Sequence, residues 1–145
     1  MDTKSIDEKQ QEIIDEFSFF EDWMDKYEMI IQMGKDLPLI DDQYKIDSKL
    51  IKGCQSQVWM HAEERDGKVF YTADSDAVIT KGLVSLVIKV LSGHSPEEIA
   101  KSKLYFIERI GLQSHLSPTR SNGLLAMIKQ MKLYAVALQQ QNINT

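Results

Sequence analysis

Gln57-Val58-Trp59-Met60-His61-Ala62-Glu63-Glu64-Arg65-Asp66-Gly67-Lys68-Val69-Phe70-Tyr71-Thr72 reads as a β-hairpin. Two short runs of strand-forming residues, 57–64 and 68–72, flank Arg65-Asp66-Gly67, and Asp-Gly is a strong tight-turn signal because both residues accept a positive φ. Just upstream, Gly53-Cys54-Gln55-Ser56-Gln57 makes a small polar turn, so Cys54 sits immediately before the first strand. Just downstream, Asp74-Ser75-Asp76 offers capping oxygens ahead of an apolar stretch, Ala77 to Leu91, which reads as a helix closed by Gly93. Apolar residues cover much of the circumference of that helix, so it is expected to be the central core helix.

Helices flank this centre on both sides. Ser5 caps a run to about Phe17 in which Ile6, Ile13, Ile14 and Phe17 form a thin apolar stripe, so this helix is expected on the outside. Asp22 opens a second helix from Trp23 to about Met33, with Gly34 expected at C′ and Pro38 confirming the stop. Residues 35–52 have no strong period and suit a loop, or an edge strand around Leu39 to Lys45. Beyond the core helix, Ser95-Pro96-Glu97-Glu98 starts a short helix with Pro at N1 and acids in the first turn. Another short helix, Lys103 to Ile110, closes at Gly111, and Gln113 to Leu116 reads as a connection. Ser117-Pro118 then opens a long final helix, Thr119 to about Gln139; Gly123 inside it costs about 1 kcal/mol, tolerable if something packs closely there. The sum is an α+β fold: a small antiparallel sheet of about three strands packed against four to five helices, in one domain over residues 1–145.

With 145 residues, 43% hydrophobic and 27% charged, the chain can bury a real core and is too apolar for wholesale disorder. Its net charge of −5 gives no electrostatic footprint for nucleic acid, which relies on clustered Lys and Arg. No apolar run approaches the ~18–20 residues of a membrane span, and Met1 to Gln11 resembles neither a signal nor a transit peptide. A cytoplasmic protein with neither nucleic acid nor membrane as partner is the expectation.

Cys54 is the only cysteine, so it can form no intramolecular disulfide and can give a metal only one thiolate. Its neighbours are Gly, Gln, Ser and Gln rather than large apolar residues, which leaves an inert packed thiol and a reactive one both open. His61, His94 and His115 are scattered; a Cys–His pair as in a stand-alone hydrolase or peroxidase stays open, since such partners meet in space and not in sequence. One Cys and three scattered His make a poor zinc set, and no metal site is expected. Arg120 falls in the first turn of the last helix, where the dipole disfavours a cation; either it runs to solvent or it faces an anion held near that helix start. Asp74 and Asp76 read most simply as a helix cap.

Three segments, Gly53-Cys54-Gln55-Ser56-Gln57-Val58-Trp59, Asp74-Ser75-Asp76 with Lys81-Gly82-Leu83, and His115-Leu116-Ser117-Pro118-Thr119-Arg120-Ser121-Asn122-Gly123-Leu124, closely resemble the SufE family of sulfur-acceptor proteins. Tyr27, Ile30-Ile31, Gly34 and Leu37-Pro38 extend the likeness from the second helix to the last. The resemblance implies a fold similar to the IscU-type scaffold proteins. It also implies that Cys54 accepts sulfane sulfur from a pyridoxal-phosphate-dependent cysteine desulfurase of the SufS type, stimulates that enzyme, and passes the sulfur to iron–sulfur cluster assembly on a downstream scaffold. The chain would then need no cofactor of its own, the pyridoxal phosphate belonging to the desulfurase, and would act as a monomer or weak homodimer. On this reading Cys54 becomes a persulfide, with Gln55, Ser56 and Arg120, and the helix start at Ser75, stabilising the anion.

Overall fold

The computed structural model describes residues 4–143. The hairpin is present: β1 (Val58–Arg65) pairs antiparallel with β2 (Lys68–Ser75), and the turn holds Asp66 at φ 54° and Gly67 at φ 79°. Alternation sorts its faces. Val58, Met60, Val69, Tyr71 and Ala73 point into the core, while Trp59, His61 and Glu63 lie on the other side.

Three further residues, Ala73 to Ser75, belong to β2, so the sheet consumes most of the acidic segment expected to cap the next helix. That helix, α3 (Val78–Leu91), has Ala77 as N-cap with no side-chain capping bond. Asp74 instead faces Lys45 Nζ at 2.6 Å and Lys81 Nζ at 3.4 Å. Burial would raise its pKa, but the Lys45 bond, the Ser75 N–H and the Lys81 charge outweigh that and hold the carboxyl below the ordinary range. Asp76 accepts from Gln57 N–H at 3.0 Å.

No third strand forms among the described residues. Leu39 makes a single parallel bridge to Ala73, with Ile40 N–H donating to Ala73 O at 3.1 Å, and the chain then tightens into a 3₁₀ turn over Asp42–Tyr44. Pro38 has no N–H to extend the ladder, and the Asp41 side chain captures the Gln43 N–H, so the backbone turns away.

Seven helices lie among the described residues: α1 (Ile6–Ser18), α2 (Trp23–Gly34), α3, α4 (Pro96–Lys101), α5 (Phe106–Arg109), α6 (Leu112–His115) and α7 (Pro118–Ile143). Ser5 and Ser95 both close reciprocal capping boxes, with Glu8 and Glu98. The one-turn α6 occupies the connection expected at Gln113 to Leu116, entered through Gly111 at φ 83°. α1 is better anchored than its thin stripe suggests. Gln10 is fully buried; its Nε2 donates to Lys103 O and its Oε1 accepts from Phe106 N–H, both at 3.1 Å, tying α1 to the start of α5.

α3 is the buried centre, packed against α1, α2, α7 and β2. Gly34 is not a left-handed C′ residue but the last residue of α2, placed against α3. A Cβ on Gly82 would lie 2.1 Å from Ile30 O, and one on Gly34 would lie 3.1 Å from Gly82 N, so the two helices cross backbone to backbone. α7 closes the other side, where its Met131 O accepts from the buried Tyr71 hydroxyl at 2.7 Å. No helix among the described residues is long and apolar enough to cross a membrane.

Candidate functional site

The loop carrying Cys54 is pinched at its base. Ile51 N–H donates to Val58 O at 2.9 Å, and Gln57 exchanges backbone and side-chain bonds with Asp76. Between these clamps the chain must reverse in a few residues, which Gly53 allows at φ 95°. A side chain there would be strained in φ, and its Cβ would lie 3.2 Å from the Ala126 Cβ on α7. The loop therefore packs on α7 at Gly123 and Ala126, and Cys54 is half-buried against it.

The thiol faces Gly123. Cys54 Sγ donates to Gly123 O at 3.5 Å, and a Cβ on Gly123 would stand 3.6 Å from Sγ. The interior glycine that costs the helix stability is thus the place where the sulfur packs. Burial pushes the Cys54 thiol up from its ordinary pKa, with no opposing pull from a nearby cation. A carbonyl acceptor acts in the same direction, because it bonds only the protonated form. The resting sulfur is a neutral thiol.

Around Sγ lies a pocket of about 100 Å³. Gln55, Ser56 and Arg120 line it together with Cys54, so four of the residues singled out from the sequence meet at one place. Gly123 and Met127 of α7 and Thr80 and Leu83 of α3 complete its walls. Arg120 is exposed in the first turn of α7, its N–H bonded to Ser117 Oγ at 3.3 Å. Ser75 stands apart from the pocket lining: it ends β2 and its Oγ accepts from Ala77 N–H at 3.2 Å. Neither Asp74 nor Asp76 lines the pocket; Asp76 serves as the clamp on Gln57.

No histidine lines the thiol pocket. His61 stacks on Tyr44 with ring centroids 3.8 Å apart, His94 is buried at a bridge to Val69, and His115 lies on Trp23 with centroids 4.1 Å apart. Among the described residues no cluster of three or more His, Cys, Asp or Glu is placed to hold a metal. Thr80 and Met127 carried no sequence signal as site residues, since each reads as an ordinary helix residue, and Leu83 entered only within the Lys81-Gly82-Leu83 segment of the family resemblance. Gly123 did carry one, as a glycine where a helix prefers almost anything else.

Residues 11–135 match the family described as the SufE, Fe–S metabolism associated domain. The chain is 44% identical over 134 residues to SufE-like protein 1, chloroplastic/mitochondrial, of Arabidopsis thaliana, covering 90% of this chain and 36% of that longer protein. It is 41% identical over 127 residues to an uncharacterised SufE-like protein of Synechocystis, covering 88% of this chain and 80% of the relative. In fold it is similar to the solution structure of a hypothetical protein from Thermus thermophilus, with TM-score 0.76 and 19% identity over 91% of this chain and 96% of that one. With a family match from the second half of α1 through most of α7, enclosing the whole Cys54 pocket, this chain belongs to the SufE family and has its place in Fe–S metabolism.

Proposed function

We propose that the protein takes sulfur from the persulfide of a pyridoxal-phosphate-dependent cysteine desulfurase onto Cys54, stimulates that enzyme by removing its product, and delivers the sulfur to iron–sulfur cluster assembly. The observation that carries this reading is the seating of the solitary thiol: half-buried, bonded to the Gly123 carbonyl, on a loop clamped at both ends and without a histidine base beside it. A hydrolase or peroxidase acting alone needs a base or acid at the sulfur. An acceptor needs only a thiol that stays quiet until its donor arrives.

The transfer balances without an outside oxidant or reductant. The Cys54 thiolate attacks the terminal sulfur of the donor persulfide, the S–S bond of the donor breaks, and the donor cysteine leaves as a thiolate while Cys54 keeps the sulfur as a persulfide. One thiolate is consumed and one released. The resting thiol is protonated, so it must lose its proton when the donor docks, and lifting the loop from Gly123 O removes the contact that holds that proton. On this reading Arg120, Gln55 and Ser56, which line the same pocket as Cys54, stabilise the anion that results. The chemistry suits a reducing compartment such as the cytoplasm.

Incubation with a cysteine desulfurase and L-cysteine, followed by mass spectrometry, tests the reading: a gain of about 32 Da on the peptide containing Cys54 is expected, and none in Cys54→Ser. An unmodified Cys54 beside a fully turned-over desulfurase would overturn it. Turnover of an ester or peroxide by the chain alone would favour the stand-alone enzyme instead.

A further inference from the structure

We propose that the cleft framed by α1, the end of α2, β2 and the second half of α3 binds a small organic anion, an apolar body carrying a carboxylate or phosphate head. The cavity measures about 520 Å³, inside the range of ~300–1,000 Å³ usual for small-molecule sites. Met33, Pro38, Phe70 and Ile88 supply carbon surface to it. The uncharged polar groups of the wall, the Ser85 and Ser92 hydroxyls and the Gly93 N–H, are engaged within the protein. Ser85 Oγ donates to Met33 O at 2.7 Å, Ser92 Oγ accepts from Tyr71 N–H at 3.1 Å, and Gly93 N–H donates to Val69 O at 2.7 Å. An incoming ligand body therefore meets carbon without stranding a buried donor or acceptor.

Charge selects the head. Lys9, Lys68 and Lys89 line the cleft against one carboxylate, Asp36, in a chain whose overall charge is −5. Lys9 is nine-tenths buried, with Nζ donating to Ser92 O at 3.1 Å, while Lys68 and Lys89 stand at the solvent edge. An anionic head is drawn to the Lys68 and Lys89 ammonium groups at the solvent edge and a cationic one is repelled. The site is separate from the thiol pocket and shares no lining residue with it, although α3 serves both: Thr80 and Leu83 on one, Ser85, Ile88, Lys89 and Ser92 on the other.

The test uses the full chain with octanoate, octyl phosphate and octanol as probes, followed by amide chemical shifts in ¹H–¹⁵N spectra. Octanoate or octyl phosphate is expected to move the amides of Met33, Phe70, Ile88 and Ser92, and the tighter of the two identifies the head as carboxylate or phosphate. Octanol should bind about tenfold more weakly, and the variant Lys68→Glu/Lys89→Glu should weaken the anions about tenfold while leaving octanol binding and sulfur acceptance at Cys54 unchanged. Equal affinity for octanol and octanoate would overturn the proposal. So would an unchanged anion affinity in the double variant, shifts confined to other surfaces, or no shifts at millimolar probe.

Discussion

Replacing Gly123 by alanine separates what the helix wants from what the thiol needs. Gly123 has ordinary helical φ and lies in the interior of α7, so the backbone accepts alanine without strain. The nearest atoms to the new Cβ are Cys54 Sγ at 3.6 Å, Cα at 3.8 Å and Cβ at 4.0 Å, all ordinary van der Waals separations. The helix gains about 0.5–1 kcal/mol in propensity and lower unfolded-state entropy, with no overpacking to offset it. For a chain of this length that corresponds to a rise of about 2–4 °C in Tm per kcal/mol. Function should move the other way. The methyl group occupies the thiol side of a 100 Å³ pocket and packs against the sulfur in its closed position. Every process that requires the loop to lift then loses the new contact, so alkylation of Cys54 by iodoacetamide and sulfur acceptance from a desulfurase should both slow by about fivefold, the rate equivalent of ~1 kcal/mol. Urea unfolding at constant m gives the stability, and timed alkylation under native conditions gives the thiol. A variant less stable than the parent by more than about 1 kcal/mol would refute the packing argument, being the mark of overpacking. An unchanged alkylation rate in a stabilised variant would refute the link between closure and reactivity.

Gly82→Ala should behave in the opposite sense: its Cβ would stand 2.1 Å from the Ile30 carbonyl oxygen, so the α2–α3 crossing must open and stability should fall by about 1–3 kcal/mol in chemical denaturation. Tyr71→Phe leaves Met131 O without its 2.7 Å donor in a buried site and should cost about 1–2 kcal/mol at unchanged fold, as judged by circular dichroism and the denaturation midpoint. Because burial raises the Cys54 pKa, its alkylation rate should rise with pH along a curve displaced above that of a free cysteine. By the same shift, the folded state holds the thiol proton more tightly than the unfolded chain. That contribution to stability is complete below the ordinary thiol pKa and is lost as pH climbs through the folded value, and Cys54→Ser should remove this alkaline slope.

Local chemistry made much of this fold legible. Asp66-Gly67 can hardly be anything but a tight turn between two strand-forming runs, and Ser5, Asp22 and Ser95 cap helices through bonds that span only two or three residues. Where a residue had two local uses, the sheet or a neighbouring helix chose between them. Asp74 and Ser75 could cap a helix or extend a strand; pairing with Trp59 and Val58 took them into β2. Gly34 could end α2 in a left-handed turn or let a helix approach; Gly82 opposite it made it a contact. The stretch near Leu39 could add a strand, but Pro38 and Asp41 turn it after one bridge.

The site divides along the same line. That Cys54 is solitary, set in a polar turn before a strand, and accompanied by Gln55, Ser56 and a cation on a helix start can be read from the chain, because each is a matter of residue type and near-neighbour spacing. That the sulfur rests on the Gly123 carbonyl, 69 positions away, with Thr80, Leu83 and Met127 around it, belongs to the packing of α3 and α7 on the loop. No local pattern encodes such a contact, since a pocket wall and a core residue use the same side chains. The upward shift of the Cys54 pKa follows from that packing: desolvation and a carbonyl partner are properties of the folded surroundings, not of the cysteine.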